Sequence, residues 1–231
     1  MVDLHCHILP GIDDGAADAQ QSKEMLDLQK GQGVSGAVLT SHFYPETVSF
    51  EEFLCKRDEA YDKIKATSPI LLKRAAEVAY TRHLANLGDI EKLCIEDTQY
   101  LLLELPFSAD WTTAMIDDIQ RMSANFGITF IIAHIELYPA AHKNFDLIKK
   151  LRDIGCLFQI DTQSVISMSL SEKMFLKKLF RHGCFHFLAS DCHNTTTRKP
   201  NLHEGFIKLG RLLGEDAVDE IKNNANIIFL P

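Results

Sequence analysis

His5 and His7 stand two residues apart in the run Asp3-Leu4-His5-Cys6-His7, and far along the 231-residue chain Asp191 and His193 repeat the spacing in Asp191-Cys192-His193. A strand sends residues i and i+2 to one side, so each pair offers two ligand atoms on one face while Cys6 and Cys192 turn away. Between these pairs come Asp14, in Asp13-Asp14-Gly15, then His42, Glu77, Glu104 and His134, each at or close behind the end of an apolar run or in the loop after it. Imidazole and carboxylate ligands without thiolates suit divalent Mn, Fe or Zn, not a structural zinc of the four-cysteine type. Nine ligands are too many for one ion. Two or three ions sharing a bridging carboxylate are expected, with Glu77 and Glu104 the candidate bridges. Asp13-Asp14-Gly15 also reads as a turn in which either aspartate caps the loop.

A cluster of this kind lowers the pKa of a coordinated water from near 16 to about 7, holds an anion and neutralises charge in an in-line displacement. Phosphate ester hydrolysis uses all three. Arg198, five residues past His193, is placed to donate a fork of hydrogen bonds to phosphate, with Asn194 as a second substrate-binding group. The expected reaction is attack on phosphorus by a metal-activated hydroxide while Arg198 and the ions take up charge on the equatorial oxygens. A phenol, with a pKa near 10, leaves without a strong general acid, which favours aryl esters. Three other readings compete. Cys192 to Arg198 has the Cys-x5-Arg spacing of thiolate phosphatases, but no glycine lies between them to cradle a phosphate. Amidohydrolases also open with His-x-His, but place a further histidine after the sixth strand, where this chain offers Asp161 and Gln163. A barrel that binds metal without catalysis is the third.

Ligands so scattered converge only if strand ends meet at one face, as in barrel folds. Seven nearly continuous apolar runs supply the strands: Val2 to Leu4, Gly36 to Thr40, Ile70 to Val78, Tyr100 to Leu105, Ile128 to Ala133, Leu157 to Asp161 and Phe185 to Ala189. Lack of polar alternation marks parallel strands buried on both faces. Helical spacing fills Asp18 to Gln32, Phe50 to Ala66, Thr112 to Asn125, Asn144 to Ile154, Ser171 to His182 and Glu204 to Leu213, and less clearly Arg82 to Glu96, which Gly88 interrupts. The alternation implies an α/β fold, a distorted TIM-like barrel of seven βα units, in one domain over residues 1–231.

Composition narrows the function. A net charge of −8 without clustered Lys and Arg argues against nucleic acid as partner. No apolar stretch reaches the roughly 20 residues that span a bilayer, and no signal peptide precedes the first motif, so a cytoplasmic, not membrane-spanning protein is expected. Six cysteines without paired spacing read as reduced thiols.

The runs Asp3 to Gly15, Ala76-Glu77-Val78, Ala133-His134-Ile135-Glu136 and Ala189 to Asn194 resemble the polymerase-and-histidinol-phosphatase (PHP) superfamily, and within it the bacterial metal-dependent protein tyrosine phosphatases of the CpsB/CapC type. The resemblance implies a (β/α)7 barrel with three ions, manganese foremost. His5, His7, Glu77 and Asp191 would hold the first, Glu77, Glu104 and His134 the second, and Asp14, His42 and His193 the third. It also implies a phosphotyrosyl protein as partner, a bacterial tyrosine kinase that controls capsule or exopolysaccharide export. A small-molecule phosphatase acting on histidinol phosphate is the nearest alternative within the superfamily. One departure stands out: the family has an arginine after the glutamate of the His134 motif, where this chain has Leu137. Aromatic residues at Phe43-Tyr44-Pro45 and from Phe107 to Trp111 fall in loops on the expected active face, as ring-stacking groups or as buried anchors.

Overall fold

The computed structural model describes residues 1–107 and 110–230. The apolar runs form nine parallel strand segments: β1 (Val2–Cys6), β2 (Gly36–Leu39), β3 (His42–Phe43), β4 (Leu71–Arg74), β5 (Glu77–Ala79), β6 (Tyr100–Glu104), β7 (Thr129–Ile132), β8 (Leu157–Asp161) and β9 (Phe187–Ala189). They pair in the orders β1-β2-β4 and β3-β5-β6-β7-β8-β9. β2 and β3 are two halves of one strand position broken at Thr40-Ser41, and β4 and β5 are two halves of another broken at Ala75-Ala76. The breaks stay stitched: Thr40 N–H donates to the Cys6 carbonyl at 3.0 Å, and Glu77 N–H to the carbonyls of Thr40 and Ser41. Nine segments therefore make seven strand positions, the number expected from sequence. A parallel bridge between Cys6 and Cys192 brings β1 against the chain after β9. There Asp191 N–H donates to the His5 carbonyl and His7 N–H to the Cys192 carbonyl, both at 2.9 Å, and curl the sheet into a distorted barrel.

Helices cover the outside: α1 (Ala19–Gly31), α2 (Phe50–Ile64), α3 (Thr113–Phe126), α4 (Pro139–Lys143), α5 (Phe145–Asp153), α6 (Thr162–Ile166), α7 (Leu170–Arg181), α8 (Leu202–Leu213) and α9 (Glu215–Phe229). Their starts are chemically marked. Asp18, Ser49 and Thr112 accept from the backbone N–H three residues on, and Ser169 with Glu172 forms a reciprocal capping box. The doubtful stretch 82–96 is two 3-10 turns, Leu84–Asn86 and Ile90–Leu93, separated by Gly88 at φ +76°.

α9 was absent from the expected helices, and it matters most to the barrel. Its Ala225, Ile228 and Phe229 pack with Val2, Leu4, Val38, Leu102, Ile131 and Phe187, side chains of the barrel interior, and so form an apolar floor. Contact there is close: a Cβ on Gly36 would lie 2.4 Å from the Phe229 ring. The floor leaves the interior dry below and reserves the opposite end for polar groups.

β1 crosses between the two ends with one extra residue. Val2 and Asp3 lie opposite Gly36 and Ala37, but Cys6 lies opposite Leu39, so the register slips by one. Asp3 faces outward and accepts from Gln29 of α1 at 2.7 Å, Leu4 joins the floor cluster, and His5 still points into the polar mouth. The bulge thus places two consecutive residues inside and sets the parity that brings His5 and His7 to the mouth together.

Candidate metal centre

His5 Nε2 lies 3.1 Å from His7 Nε2 and 3.3 Å from both Glu77 Oε2 and Asp191 Oδ1, and His7 Nε2 lies 3.3 Å from the same two oxygens. Five of the six separations among these four donor atoms are therefore 3.1–3.3 Å, a spacing that donors sharing one divalent ion at a bond length of about 2 Å would have. All four residues are buried, His5 and His7 completely.

The hydrogen bonds behind the imidazoles say why their Nε2 atoms are free. Asp13 Oδ2 accepts from His7 Nδ1 at 2.8 Å and from the His42 backbone N–H at 2.9 Å, while its Oδ1 accepts from Gly15 N–H at 3.0 Å. Gly15 is confined to glycine, since a Cβ would lie 2.2 Å from the His7 carbonyl. His193 Nδ1 donates to the Asp191 carbonyl at 2.9 Å. His5 Nδ1 is engaged by Gln159 Oε1 at 3.1 Å, so His5 and His7 present Nε2 lone pairs to each other, which needs a proton or a cation between them.

Glu77 stands at the middle. Its Oε2 faces His5 and His7 and its Oε1 lies 2.9 Å from His134 Nε2, which is itself 3.7 Å from Glu104 Oε1. His42 Nδ1 is 2.9 Å from Glu77 Oε2, without hydrogen-bond geometry, and its Nε2 is 3.5 Å from Asp14 Oδ1. Asp14 Oδ1 is also 3.3 Å from His193 Nε2. The donor atoms of His7, Asp14, His42 and His193 gather within 4.8 Å, as do those of His42, Glu77 and Glu104. All nine residues expected as ligands therefore surround one pocket at the strand ends. Buried atoms Glu77 Oε2, Asp191 Oδ1, His42 Nδ1 and His193 Nε2 have no hydrogen-bond partner, which a neutralising cation would supply.

Electrostatics agree. Burial works to lower the His5 pKa, but the charges of Glu77 and Asp191 outweigh it and raise it to about 9. Burial favours protonated Glu77, yet the charge of His5 and a hydrogen bond from His134 hold it well below the usual carboxylate range. Glu104 is pushed up by burial and by the Glu77 charge. In the ion-free protein, protons on imidazole do part of the work of the missing positive charge.

Arg198 closes the mouth. Its Nη2 donates to Asp191 Oδ2 at 2.6 Å, leaving Oδ1 toward His5 and His7, and its side chain is 47% exposed. Asn194 lies in the same turn, where its Oδ1 accepts from the backbone N–H groups of Thr196, Thr197 and Arg198. Its amide is thus engaged in holding the loop that presents Arg198. Leu137 shares a cavity of about 280 Å³ with Asp161, Asp191 and Arg198. Among the aromatics, Tyr44 stacks on His42 at 5.2 Å and Phe107 on His134 at 5.3 Å, both partly exposed, whereas Phe43 and Trp111 are buried. Ser108 and Ala109 of that second loop lie outside the described residues. Cys192 is fully buried with its Sγ toward Gln29 of α1, on the outer side of the barrel wall, and cannot serve as a nucleophile at the mouth. A cavity of about 700 Å³ between Arg57, Arg74 and Glu96 includes none of these residues, and there Arg74 pairs with Glu96 and Arg57 with Asp58.

Two residues behind the ligands escaped the sequence reading. From sequence Asp13 reads as a loop cap. Gln159 on β8 gave a signal, a lone amide in the apolar run Leu157-Phe158-Gln159-Ile160, that nothing in the ligand spacing explained.

Comparison with known proteins gives the same direction. Tyrosine-protein phosphatase CpsB of Streptococcus pneumoniae is 31% identical over 234 residues, covering 96% of this chain and 94% of that one. Tyrosine-protein phosphatase YwqE of Bacillus subtilis is 29% identical over 238 residues, covering 99% and 91%. A solved structure from the pair YwqE of Bacillus subtilis and CpsB of Streptococcus pneumoniae, described as unique metal-dependent tyrosine phosphatases, superposes with a TM-score of 0.86. It is 27% identical over 99% of this chain and 94% of that chain. An organophosphorus hydrolase of Deinococcus radiodurans, at a TM-score of 0.54 and 14% identity, shares the fold alone. The family model described as "Capsular polysaccharide synthesis, CpsB/CapC" matches residues 1–229, and the chain belongs to that family.

Proposed function

We propose that this chain is a metal-dependent protein tyrosine phosphatase that hydrolyses phosphotyrosine and acts in capsule or exopolysaccharide biosynthesis. The observation that carries the reading is the cluster of donor atoms from His5, His7, Glu77 and Asp191, five of their separations 3.1–3.3 Å, with Arg198 fixed on its rim. His5, His7, Glu77 and Asp191 would hold one ion, Glu77, Glu104 and His134 a second, and Asp14, His42 and His193 a third, with manganese first in preference and iron or zinc as alternatives. Divalent ions bound there supply Lewis acidity and an activated water.

The remaining work falls to the chain itself. Arg198 donates its fork to the phosphate oxygens, pre-oriented by Asp191 Oδ2, so that little reorganisation is needed as charge develops. Asn194 holds the turn that carries it. Exposed Tyr44 and Phe107 offer ring faces beside the centre for the phenyl group of the substrate. The partner is a phosphotyrosyl protein, a bacterial tyrosine kinase in this reading, met in the cytoplasm by a chain that folds as one domain. Among the described residues no helix is long and apolar enough to cross a membrane.

The test is direct. Chain stripped with a chelator and reloaded with Mn, Fe or Zn is assayed on a phosphotyrosyl peptide and on histidinol phosphate, with bound metal counted by elemental analysis. Metal-restored hydrolysis that favours the peptide is expected. Activity indifferent to chelation, or no hydrolysis of any aryl phosphate by loaded protein, refutes the proposal.

A further inference from the structure

Gln159 is completely buried in the middle of β8, where an apolar side chain would be the ordinary occupant. Its amide makes three hydrogen bonds. Oε1 lies 3.1 Å from His5 Nδ1 and accepts from the His134 backbone N–H at 2.9 Å, and Nε2 donates to Asp161 Oδ1 at 2.8 Å. The orientation is fixed by elimination. A backbone N–H can only donate, so the atom facing His134 is the oxygen, and an amide oxygen can only accept, so the His5 nitrogen facing it carries a proton. With Nδ1 protonated, the neutral ring leaves its lone pair on Nε2, the atom directed at His7, Glu77 and Asp191.

The second bond matters equally. His134 sits at φ +33°, ψ +51°, in the left-handed region that costs a residue with a Cβ. Gln159 Oε1 holds the N–H of that strained residue, and the strain aims the imidazole at Glu77 and Glu104. One oxygen atom therefore anchors two histidines, His5 on β1 and His134 just past β7, proposed above to hold different ions.

We infer that Gln159 is a positioning residue for metal binding: its amide oxygen sets the His5 tautomer and pins the His134 backbone, so that two neighbouring cation sites are preorganised together. It is the neutral counterpart of Asp13, which serves His7 with a carboxylate. The inference rests on the metal-centre reading above.

The experiment compares Gln159→Met, which keeps the size and removes the acceptor, with Gln159→Glu, which keeps the acceptor; both variants lose the donor to Asp161, so the difference between them reports the acceptor. Mn²⁺ is titrated calorimetrically into the chelator-stripped full chain, and thermal midpoints of the ion-free proteins report folding. Gln159→Met is expected to bind manganese about 10- to 100-fold more weakly, the usual effect of losing a partner behind a ligand, and Gln159→Glu to stay within a few-fold of wild type. Equal affinity in Gln159→Met and wild type overturns the inference, as does an equal loss in both variants. Should Gln159→Met fail to fold, nitrogen NMR of the wild type loaded with diamagnetic zinc decides: a proton on His5 Nδ1 sustains the inference, and one on Nε2 overturns it. A wild type that takes up no Mn²⁺ at all refutes the metal centre itself, which separates that failure from this one.

Discussion

Replacing Arg198 tests whether the guanidinium serves chemistry or architecture, because the two roles have different magnitudes. Its ion pair with Asp191 is short at 2.6 Å, but the Arg198 side chain is 47% exposed, so solvent screening limits its contribution to stability to about 0–1 kcal/mol. For a chain of this size that moves the melting temperature by about 4 °C at most. A preorganised donor to developing transition-state charge is worth much more, about 3–4 kcal/mol, or 10²- to 10³-fold in rate. Arg198→Ala should therefore melt near wild type and lose roughly two to three orders of magnitude in kcat/KM on an aryl phosphate. Arg198→Lys should fall between, since a point charge replaces a fork. Manganese affinity should stay within a few-fold, because Asp191 turns Oδ1, not the oxygen held by Arg198, toward His5 and His7. The assays are thermal melting, calorimetric metal titration and steady-state kinetics on metal-saturated protein. An Arg198→Ala enzyme within threefold of wild-type kcat/KM refutes the role in catalysis, and one that melts 10 °C lower shows that the residue is structural.

Cys192→Ser should keep wild-type kcat within about twofold, since the thiol faces α1 and not the mouth; a loss of a hundredfold would reinstate a thiolate mechanism. Leu137→Arg places a second cation in the cavity shared with Arg198, and should lower KM for a phosphotyrosyl peptide with little change in stability; an unchanged or higher KM speaks against that cavity as the phosphate side of the site. His186 predicts an acid-side loss of stability. Its Nδ1 accepts from the Phe158 N–H at 3.1 Å, which requires the neutral ring, and burial lowers its pKa to about 4. A histidine whose folded pKa is depressed contributes fully above its unfolded value near 6.5, and that stability is lost as pH falls toward 4, at up to about 1.4 kcal/mol per unit. Denaturant unfolding of the ion-free chain from pH 7 to 4 should show this slope, and His186→Asn should remove about one proton of it; an identical slope in the variant counts against the assignment.

Seven strand positions and the ring of histidines and carboxylates were legible because both leave local marks. Buried parallel strands are apolar runs, and a candidate ligand at a strand end interrupts one, as His42 and His134 do. The breaks within two of the strands were not legible, since Thr40-Ser41 and Ala75-Ala76 interrupt pairing without interrupting the apolar pattern. α9 carries a helical repeat at Ala217, Val218, Ile221, Ala225, Ile228 and Phe229, but its place beneath the barrel is a tertiary fact. Likewise the partners behind the ligands, Asp13 and Gln159, owe their meaning to distances across strands. Asn194, expected at the substrate, is spent on its own turn. The bulge in β1 was hidden for another reason: His-x-His spacing looks the same whether or not a residue has been inserted before it.

The floor helix also bears on how the molecule is made. α9 follows every strand, so on a ribosome the barrel bottom is the last part to be delivered, and Val2 and Leu4 stay wet until Phe229 emerges. The seam is equally late, since Asp3 waits for Ser190, 187 positions downstream. Contacts of such long sequence separation form slowly and leave unfinished intermediates exposed. Asp191, 3.3 Å from both His5 and His7 in the finished protein, is likewise absent until β9 has been made, so a growing polypeptide has no assembled trap in which the wrong cation could lodge.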